Sequence, residues 1–587
     1  MKKIFLLLIL VAALVTGAQG AFAQSGHMKL LAVSETAQGY VGGTADLYLE
    51  IKPGSGRIFL ETFPFTKVDT QMSTRFANEI ACDYIDADCS HYDFFYTLTA
   101  NSAIIGGPSA GAAIAVLTIA MLEGTSTNED VAVTGTINAG GLIGPVGGLK
   151  EKVKAGGQIG LKTILIPKGE SLSANETERQ QLEEMRSKGV EVVEVYTLNE
   201  AVYYFTGKHV KQQRALDISS QYSDTMRSLA EQLCERTEKL RRESEQHSLP
   251  LTNRTQQSMK FALNLSQKGV AAFEDQTYYA AASYCFGANV EYAKLGILGK
   301  NMSALDKENS LENLFDQISA LEEDVESAPI RTITDLESYM VAKERLLESK
   351  DLAMQAQNAS SAEEYAAALA WAQERLHSAQ SWFEFSGTPG KQYSIDEDSL
   401  ATSCALKLAE AEERIQYLEL FLPVALSTAR GELQDAEHEA ALGNYELCLF
   451  KASKAKANVG VVLGIFGVKE ELYKEVLLVK LDIVKQMIAE QSEKGAFPIL
   501  GYSYYEYADS LKESDLISAL LYAEYALELG NLDMYFSQSA MPHKQSSVQI
   551  DSKLLGMFVA GVLVGAVSVL TIRKQLSGAQ NFSRKIR

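Results

Sequence analysis

The chain has 587 residues, of which 46% are hydrophobic and 22% are charged. This balance is typical of folded proteins and excludes wholesale disorder, and the length suits about three to five domains of roughly 100–200 residues. The 75 aspartates and glutamates outnumber the 54 lysines and arginines and leave a net charge of −21. This argues against a nucleic-acid partner, since affinity for phosphate backbones comes from clustered cations.

The first 24 residues have the pattern of a secretory signal peptide. Lys2 and Lys3 precede an apolar run of about a dozen residues, and residues 21–23 form a small-x-small cleavage site. The pattern leaves open whether this segment is cleaved or remains as an anchor. In both cases it predicts that the chain that follows is exported.

Residues 29–207, called here the α/β region, alternate between strand and helix patterns. Gly42-Gly43 and residues 53–56 (PGSG) are predicted as turns. The predicted strands are residues 29–35, 45–52, 57–62, 92–99, 131–135, 162–167 and 190–196. The predicted helices are residues 66–84, 108–124 and 147–160 and a short segment that ends near residue 207. This order of elements predicts a mixed α/β fold.

Ser109 is the candidate nucleophile. It follows Gly-Gly-Pro at a predicted strand-to-helix turn, so its hydroxyl would lie beside backbone N–H groups at a helix N-terminus. Such donors favour the negative charge that develops in acyl transfer. The backbone N–H groups of Gly107, Ser109 and Ala110 are the candidates for this oxyanion hole.

A serine nucleophile needs a base that takes its proton. His91, the one histidine between residues 30 and 207, lies in no Asp-His-Ser pattern and is predicted to be a solvated loop residue. A lysine can serve if its pKa falls by about three units, which requires burial in apolar surroundings. Lys150, Lys152 and Lys154 lie at the start of a helix rich in small residues, and their spacing alone does not distinguish among them.

Four segments together point to a known family. The strings GSGRIFLE, GGPSAG, VAVTGTI and GPVGGLKEKVKAGGQIGLKTILIP occur in this order at residues 54–61, 106–111, 131–137 and 144–167. In content, order and spacing they resemble the proteolytic domain of Lon proteases. The resemblance covers residues 29–207.

The resemblance implies a compact α/β domain that hydrolyses peptide bonds with a Ser–Lys dyad. By motif, Ser109 corresponds to the nucleophile, Lys152 to the base, and Thr134 to a threonine that lies near this lysine in the family. The resemblance also implies polypeptide substrates and assembly into a homo-oligomeric ring. Neither a cofactor nor a metal ion is expected.

The chain departs from the family pattern in three places. Ile105 and Gly106 stand where many Lon proteases have an acidic residue, and Thr136 replaces the usual glutamate. The chain also contains no GxxxxGK[ST] string, the loop that wraps nucleotide phosphates in an ATPase module. We therefore expect the domain to act without ATP, on chains that are already flexible or unfolded.

Residues 208–544, called here the helical region, have long stretches of 3.6-residue periodicity and few turn signals. A weak repeat begins at Tyr278, Tyr365, Tyr445 and Leu516. Each copy has small residues three and seven positions after its first residue. The repeat predicts a tandem of helical hairpins with closely packed small-residue faces.

Six cysteines in an exported chain indicate disulfides. A local Cys82–Cys89 loop is predicted in the α/β region. In the helical region we expect the bridges Cys234–Cys285 and Cys404–Cys448, each spanning one hairpin. The alternative is that these four positions hold small buried thiols.

Residues 554–572 carry no charge and are followed directly by Arg573 and Lys574. They predict a transmembrane helix after a short linker (545–553), with residues 573–587 as a basic cytoplasmic tail. Before the predicted transmembrane helix, five Asn-x-Ser/Thr triplets agree with export and glycosylation, at Asn175, Asn253, Asn264, Asn301 and Asn358.

The sequence therefore predicts a Lon-like α/β proteolytic domain, an all-α helical-hairpin domain and a single C-terminal transmembrane helix. The leading functional hypothesis is a membrane-anchored, outward-facing, ATP-independent serine endopeptidase. One alternative is a catalytically idle Lon-like scaffold whose helical region binds protein partners. The other is an inward-facing enzyme whose N-terminal segment is not a signal peptide.

Overall fold

The computed structural model describes residues 24–536, except residues 37–38, 106, 145, 169–185, 187–188, 210–214, 219, 247–251, 420–421, 423–425 and 467. The predicted transmembrane helix, linker and tail lie outside the described residues, as do Asn175 and all of the predicted signal peptide except Gln24. Among the described helices, none combines the length and apolar character of a membrane span. The α/β region and the described helical region both belong to one compact unit.

A four-stranded sheet forms the first half of the α/β region. Its strands are β1 (Gln24–Thr36), β2 (Gly39–Pro53), β3 (Ile58–Thr66) and β4 (Tyr92–Ile105). The spatial order is β1-β2-β4-β3, with β2 antiparallel to both β1 and β4, and β3 parallel to β4. The alternating burial along β3 agrees with a sheet that has one buried face.

Two smaller sheets complete the strands of this region. Their members are β5 (Val131–Val133), β6 (Thr136–Asn138), β7 (Leu142–Gly144), β8 (Thr163–Pro167) and β9 (Glu191–Val195). Strands β5, β8 and β9 are parallel and adjacent in that order, whereas β6 and β7 form an antiparallel hairpin. The predicted α/β fold is confirmed, and the β6–β7 hairpin is an element that the sequence did not predict.

The helices of the α/β region are α1 (Val68–Tyr84), α2 (Gly111–Leu122), α3 (Leu149–Gln158) and α4 (Leu198–Thr206). Helix α2 lies at the centre, where it contacts α1, α4 and the four-stranded sheet. All its residues from Gly111 to Met121 are buried, as expected for a helix that is apolar on every side. The rigid core of the region is therefore built around the helix that follows Ser109.

The predicted turn at Gly42-Gly43 is wrong. Both glycines lie inside β2, where Gly42 pairs with Val33 and Gly43 pairs with Ala32. A Cβ atom at Gly42 would lie only 2.0 Å from the carbonyl oxygen of Glu151 in α3. The glycine is therefore required because a helix packs directly on the strand at this point.

The helical region is all-α over its described residues. Its helices are α5 (Ser220–Glu245), α6 (Asn253–Glu274), α7 (Tyr278–Gly299), α8 (Ala304–Ser327), α9 (Ile333–Gln357), α10 (Ala362–Phe383), α11 (Glu397–Glu419), α12 (Ser427–Leu442), α13 (Tyr445–Ile465), α14 (Tyr473–Glu493), α15 (Ile499–Leu511) and α16 (Leu516–Leu529). The four predicted repeat starts lie in the first turns of α7, α10, α13 and α16. Each of these helices packs on the helix before it, so the predicted tandem of hairpins is confirmed.

All three predicted disulfides are formed, namely Cys82–Cys89, Cys234–Cys285 and Cys404–Cys448. The expectation that each longer bridge spans one hairpin is wrong. Cys234 in α5 is joined to Cys285 in α7, and Cys404 in α11 is joined to Cys448 in α13. In both cases the bridged helices pack directly on each other.

The helical region packs against α1 of the α/β region. The Arg414 guanidinium in α11 lies 4.5 Å from the centre of the Phe76 ring in α1. Glu79, also in α1, meets Glu410 of α11, and burial together with that neighbouring carboxylate raises the pKa of Glu79 to about 8. Because α1 also contacts the turn that carries Ser109, the helical region supports the element behind the candidate nucleophile.

Glu506 in α15 is expected to make the stability of the fold depend on pH. Its Oε1 accepts a hydrogen bond of 3.1 Å from the backbone N–H of Ala280, in the first turn of α7. Burial raises the pKa of the Glu506 carboxyl from an ordinary 4.5 to about 7. The stability that this protonated group contributes is therefore complete below pH 4.5 and is lost as the pH rises through about 7.

The variant Glu506→Gln keeps the accepting oxygen and removes the ionisation. We expect its free energy of unfolding, relative to that of the wild type, to increase by about 3 kcal/mol as the pH rises from about 4 to about 8. Urea unfolding at a series of pH values measures this difference, with the exposed Glu312→Gln as the charge-matched control. A difference that stays constant over this pH range would contradict the prediction.

Candidate active site

Ser109 lies in a short connection between β4 and α2. The strand ends at Ile105, Gly107 has a φ of 104°, and residues 108–110 form a 3-10 turn that leads directly into α2. A φ of this value is strained for any residue with a side chain, which explains the glycine before Pro108. Residues 107–110, called here the serine turn, are half-buried, so the predicted strand-to-helix turn is confirmed. Gly106 lies outside the described residues.

Backbone hydrogen bonds join the serine turn to the residues that follow β5. The N–H of Gly135 donates to the carbonyl oxygen of Ser109 at 3.0 Å, and the N–H of Ala112 donates to the carbonyl oxygen of Gly135 at 3.0 Å. Thr134, the neighbour of Gly135, donates its own N–H to the carbonyl oxygen of Leu165 in β8. The structure therefore brings two of the predicted site residues, Ser109 and Thr134, to adjoining segments.

The side chain of Thr134 is completely buried. Among the described residues, its Oγ1 has no hydrogen-bond partner. A buried hydroxyl without a partner is costly, and such groups are uncommon in folded proteins. The position of this hydroxyl beside the segment bonded to Ser109 makes it a candidate for a role in the site.

The three candidate lysines differ in burial along α3. Lys152 is only 2% exposed, whereas Lys150 is half-buried and Lys154 is exposed. The next residue, Val153, packs in one apolar cluster with Ala132 of β5, the strand that leads to Thr134. Burial therefore singles out Lys152, the lysine to which the family resemblance assigns the base.

A buried polar trio lies behind the serine turn. The Asn78 amide in α1 donates to the Tyr96 hydroxyl in β4 at 2.9 Å, and that hydroxyl lies 2.7 Å from Thr118 Oγ1 in α2. Thr118 gives its own proton to the Ile114 carbonyl, so Tyr96 donates to Thr118. Burial raises the pKa of Tyr96 to about 12, so this donor stays protonated at neutral pH. No motif pointed to these residues, which tie α1, β4 and α2 together.

The oxyanion-hole candidates belong to the serine turn itself. The N–H of Gly111 donates to the carbonyl oxygen of Pro108 and closes the turn. Ser109 and Ala110 lie at the start of the helical segment, where backbone N–H groups lack intrahelical acceptors. The turn can therefore stabilise a negatively charged oxygen beside the Ser109 hydroxyl, which is the arrangement that acyl transfer requires.

His91 is not part of this arrangement. It lies in an exposed 3-10 turn (Cys89–His91), and its Nε2 is 3.3 Å from the Asp88 carboxylate. This confirms the prediction of a solvated loop residue. Among the described residues, no group of three or more His, Cys, Asp or Glu side chains is arranged to hold a metal ion.

Residues 93–203 match the family model of the Lon protease (S16) C-terminal proteolytic domain. The matched stretch contains Ser109, Thr134 and Lys152. It begins inside β4 and ends inside α4, so it includes the serine turn, the segment bonded to it and the helix that carries the three lysines.

Proteins that are similar to part of this chain are also Lon proteases. The chain is 35% identical over 134 residues to the Lon protease of Paraburkholderia phytofirmans, a match that covers 22% of this chain and 16% of that protein. It is 37% identical over 103 residues to Lon protease 1 of Herpetosiphon aurantiacus, covering 18% and 13%. For the Lon protease of Lachnoclostridium phytofermentans the identity is 29% over 168 residues, covering 28% and 20%. The chain thus spans a fifth or less of the length of these relatives.

Proposed function

We propose that this chain is a serine endopeptidase with Ser109 as its nucleophile and Lys152 as its base, because residues 93–203 match the Lon protease proteolytic domain. The observation that carries the proposal is the burial of Lys152, beside exposed and half-buried neighbours on the same helix. Burial disfavours the charged ammonium, and a lysine must be neutral to accept a proton.

The proposed reaction uses groups of this chain alone. The neutral amine of Lys152 takes the proton of the Ser109 hydroxyl while Ser109 Oγ attacks the carbonyl carbon of the peptide bond. Backbone N–H groups of the serine turn stabilise the oxyanion, and the lysine then protonates the leaving amine. A water molecule, deprotonated by the same lysine, releases the acyl group from Ser109.

Thr134 is the proposed partner of the base. Its buried Oγ1 has no hydrogen-bond partner among the described residues, so it can accept a hydrogen bond from the Lys152 amine and thereby orient the lone pair of that amine towards Ser109. This role orients Lys152, and Thr134 takes no direct part in the bond changes.

The proposed substrates are unfolded or flexible polypeptides. The proposed activity does not use ATP, and what supports this is that the sequence contains no phosphate-binding string of an ATPase module. We further propose that the site faces outward and that the predicted transmembrane segment anchors the chain in the membrane. A homo-oligomeric ring is proposed from the family resemblance alone.

A serine-reactive phosphonate that cannot cross membranes tests the enzyme and its orientation together. Added to intact cells that express the full chain, the biotinylated probe is expected to give one adduct, located by mass spectrometry on the peptide that contains Ser109. The purified chain is expected to cleave unfolded casein at a rate that ATP does not change.

Two results would contradict separate parts of the proposal. A chain that neither reacts with the probe nor cleaves casein would not be a peptidase and would favour the scaffold alternative. Labelling that occurs only after the cells are opened would contradict the outward orientation and leave the enzyme itself supported.

A further inference from the structure

A cleft of about 250 Å³ lies inside the helical region, where six helices meet. Its lining residues come from α5, α7, α9, α10, α15 and α16, and none of them belongs to the α/β region. We call this space the aromatic cleft. It is separate from the serine turn and from the helix that carries Lys152.

Aromatic rings from four helices line the aromatic cleft. They are those of Tyr279, Phe286, Trp382, Tyr507 and Tyr522. The Tyr507 ring meets two of the others edge to face, with centroids 6.0 Å from Tyr279 and 4.7 Å from Tyr522. These mutual contacts hold the rings in place, so the wall suits an apolar or aromatic group of a ligand.

The charge of the lining has one sign. Among the described residues that line the aromatic cleft, Arg345 in α9 and Arg375 in α10 carry a positive charge, and no aspartate or glutamate is present. The chain as a whole has a net charge of −21, so this lining differs in sign from the rest of the protein. A cationic lining without a carboxylate favours a ligand with a negative charge and disfavours one with an ammonium group.

Both guanidinium groups keep donors that the fold does not use. Arg345 Nη1 donates a hydrogen bond to Glu348 Oε2 at 2.8 Å, and Arg375 Nε lies 2.8 Å from the same oxygen. Arg345 Nη2 and both Nη atoms of Arg375 make no hydrogen bond within the described chain, and none of them is closed off from the surface. The two side chains are 19% and 21% exposed, so a carboxylate in the cleft can reach these N–H groups.

Arg375 is the less compensated of the two cations. Its guanidinium carbon lies 5.2 Å from the centre of the Phe286 ring and 5.3 Å from that of Trp371. Burial, together with the positive charge of Arg345, lowers the pKa of Arg375 to about 10. Burial also acts to lower the pKa of Arg345, but neighbouring carboxylates, Glu344 foremost, reverse the direction and raise it. An added anion would therefore stabilise Arg375 in particular.

Three hydroxyl groups beside the rings are available to a ligand. Those of Ser378, Tyr507 and Tyr522 line the cleft and make no hydrogen bond within the described chain, and none is closed off from the surface. A hydroxyl both donates and accepts, so these groups can bind the backbone amide of a peptide. A fatty acid or a simple aromatic acid would bury them without a partner, which is costly.

We propose that the aromatic cleft binds the C-terminal residue of a polypeptide, with an apolar or aromatic side chain among the rings and the α-carboxylate on Arg345 and Arg375. The volume lies below the range of about 300–1,000 Å³ that drug-sized ligands fill, which suits a single residue. A free amino acid has the same carboxylate, but the lining has no partner for its ammonium group. The proposal does not depend on catalysis, because a chain without peptidase activity would still bind.

Tryptophan fluorescence reports directly on this cleft. The chain has two tryptophans, of which Trp382 lines the cleft and Trp371 lies against Arg375. The full chain that carries Ser109→Ala, which leaves peptides intact, is titrated with an N-acetylated peptide of glycines and serines that ends in phenylalanine. The same peptide with a C-terminal amide keeps the shape and removes the charge.

We expect the acid form of the peptide to bind at least about tenfold more tightly than the amide. The signal should saturate, because both tryptophans belong to the surroundings of one site. Equal affinities, or no saturable change with the acid, would overturn the proposal.

Variants of one arginine locate the binding. Arg375→Gln is expected to abolish most of the preference for the acid, and Arg375→Lys, which keeps the charge but loses the planar fork, to weaken it about threefold or more. Arg242→Gln, an exposed change on α5, removes one positive charge elsewhere and should keep the preference. A preference that survives unchanged at Arg375 would overturn the assignment to this cleft. Thermal unfolding shows which variants are folded, and Arg375→Lys decides if Arg375→Gln is not.

Small apolar acids have the same carboxylate and serve as the last arm of the experiment. Phenylpropionate that binds far more weakly than the peptide would support a polypeptide occupant, whereas tighter binding would overturn that choice and assign the cleft to a small acid. Free phenylalanine should bind more weakly than N-acetylphenylalanine. Equal binding of these two would contradict the argument from the missing carboxylate and overturn the choice of a chain end.

Discussion

Replacing Ser109 with alanine is expected to lower kcat for casein cleavage by about 10⁴-fold or more, because the acyl-enzyme can no longer form. The substitution removes one oxygen from a half-buried turn whose shape depends on Gly107, Pro108 and backbone hydrogen bonds. We therefore expect the melting temperature and the affinity for casein to stay close to those of the wild type. The measurement is steady-state cleavage of labelled casein, with thermal unfolding of each preparation.

The matched control is Ser55→Ala, which removes the same atom from an exposed turn of the α/β region. This variant should keep full activity. Residual cleavage by Ser109→Ala above a few per cent of the wild-type rate would show that another residue is the nucleophile.

Replacing Lys152 with methionine is expected to lower kcat by about 10³-fold or more, since the hydroxyl of Ser109 then has no base. Methionine retains an unbranched apolar stem of similar length in a site that is 2% exposed. The fold should therefore be kept. Activity is measured as for Ser109, and thermal unfolding reports stability.

Lys154→Met is the control for this experiment. It makes the same chemical change two residues along α3, at an exposed position, and should leave kcat within about twofold, as for ordinary surface substitutions. An active Lys152→Met variant would remove the lysine from the mechanism.

The two residues are also expected to act as one unit. The variant that carries both Ser109→Ala and Lys152→Met should be no less active than the worse single variant, since either change alone abolishes the same step. Losses that multiply would indicate that the serine and the lysine contribute to separate steps.

Local sequence signals predicted most elements of the α/β region. The glycine and proline before Ser109 determine a strand-turn-helix connection through φ preferences that act within a few residues. The apolar run after Ser109 predicts a buried helix for an equally local reason. The β6–β7 hairpin was missed because strands of three residues are too short to establish a period.

Non-local packing explains the elements that were mispredicted. Gly42-Gly43 has the composition of a turn, yet Gly42 is needed because α3, more than a hundred residues later in the chain, lies against it. The cysteine pairs were predicted correctly, but each longer disulfide joins two helices that are separated in the chain by a third helix and does not span a single hairpin. Such helices can pack side by side in the fold, which spacing along the sequence does not show.

The amino-acid sequence by itself determined the class of fold, the strand-to-helix connection at Ser109, the family resemblance and the cysteine pairing. Spacing along the helix did not separate Lys152 from Lys150 and Lys154, and only the family resemblance assigned the base to Lys152. The tertiary structure adds that Lys152 alone is buried, because burial depends on what packs against a helix.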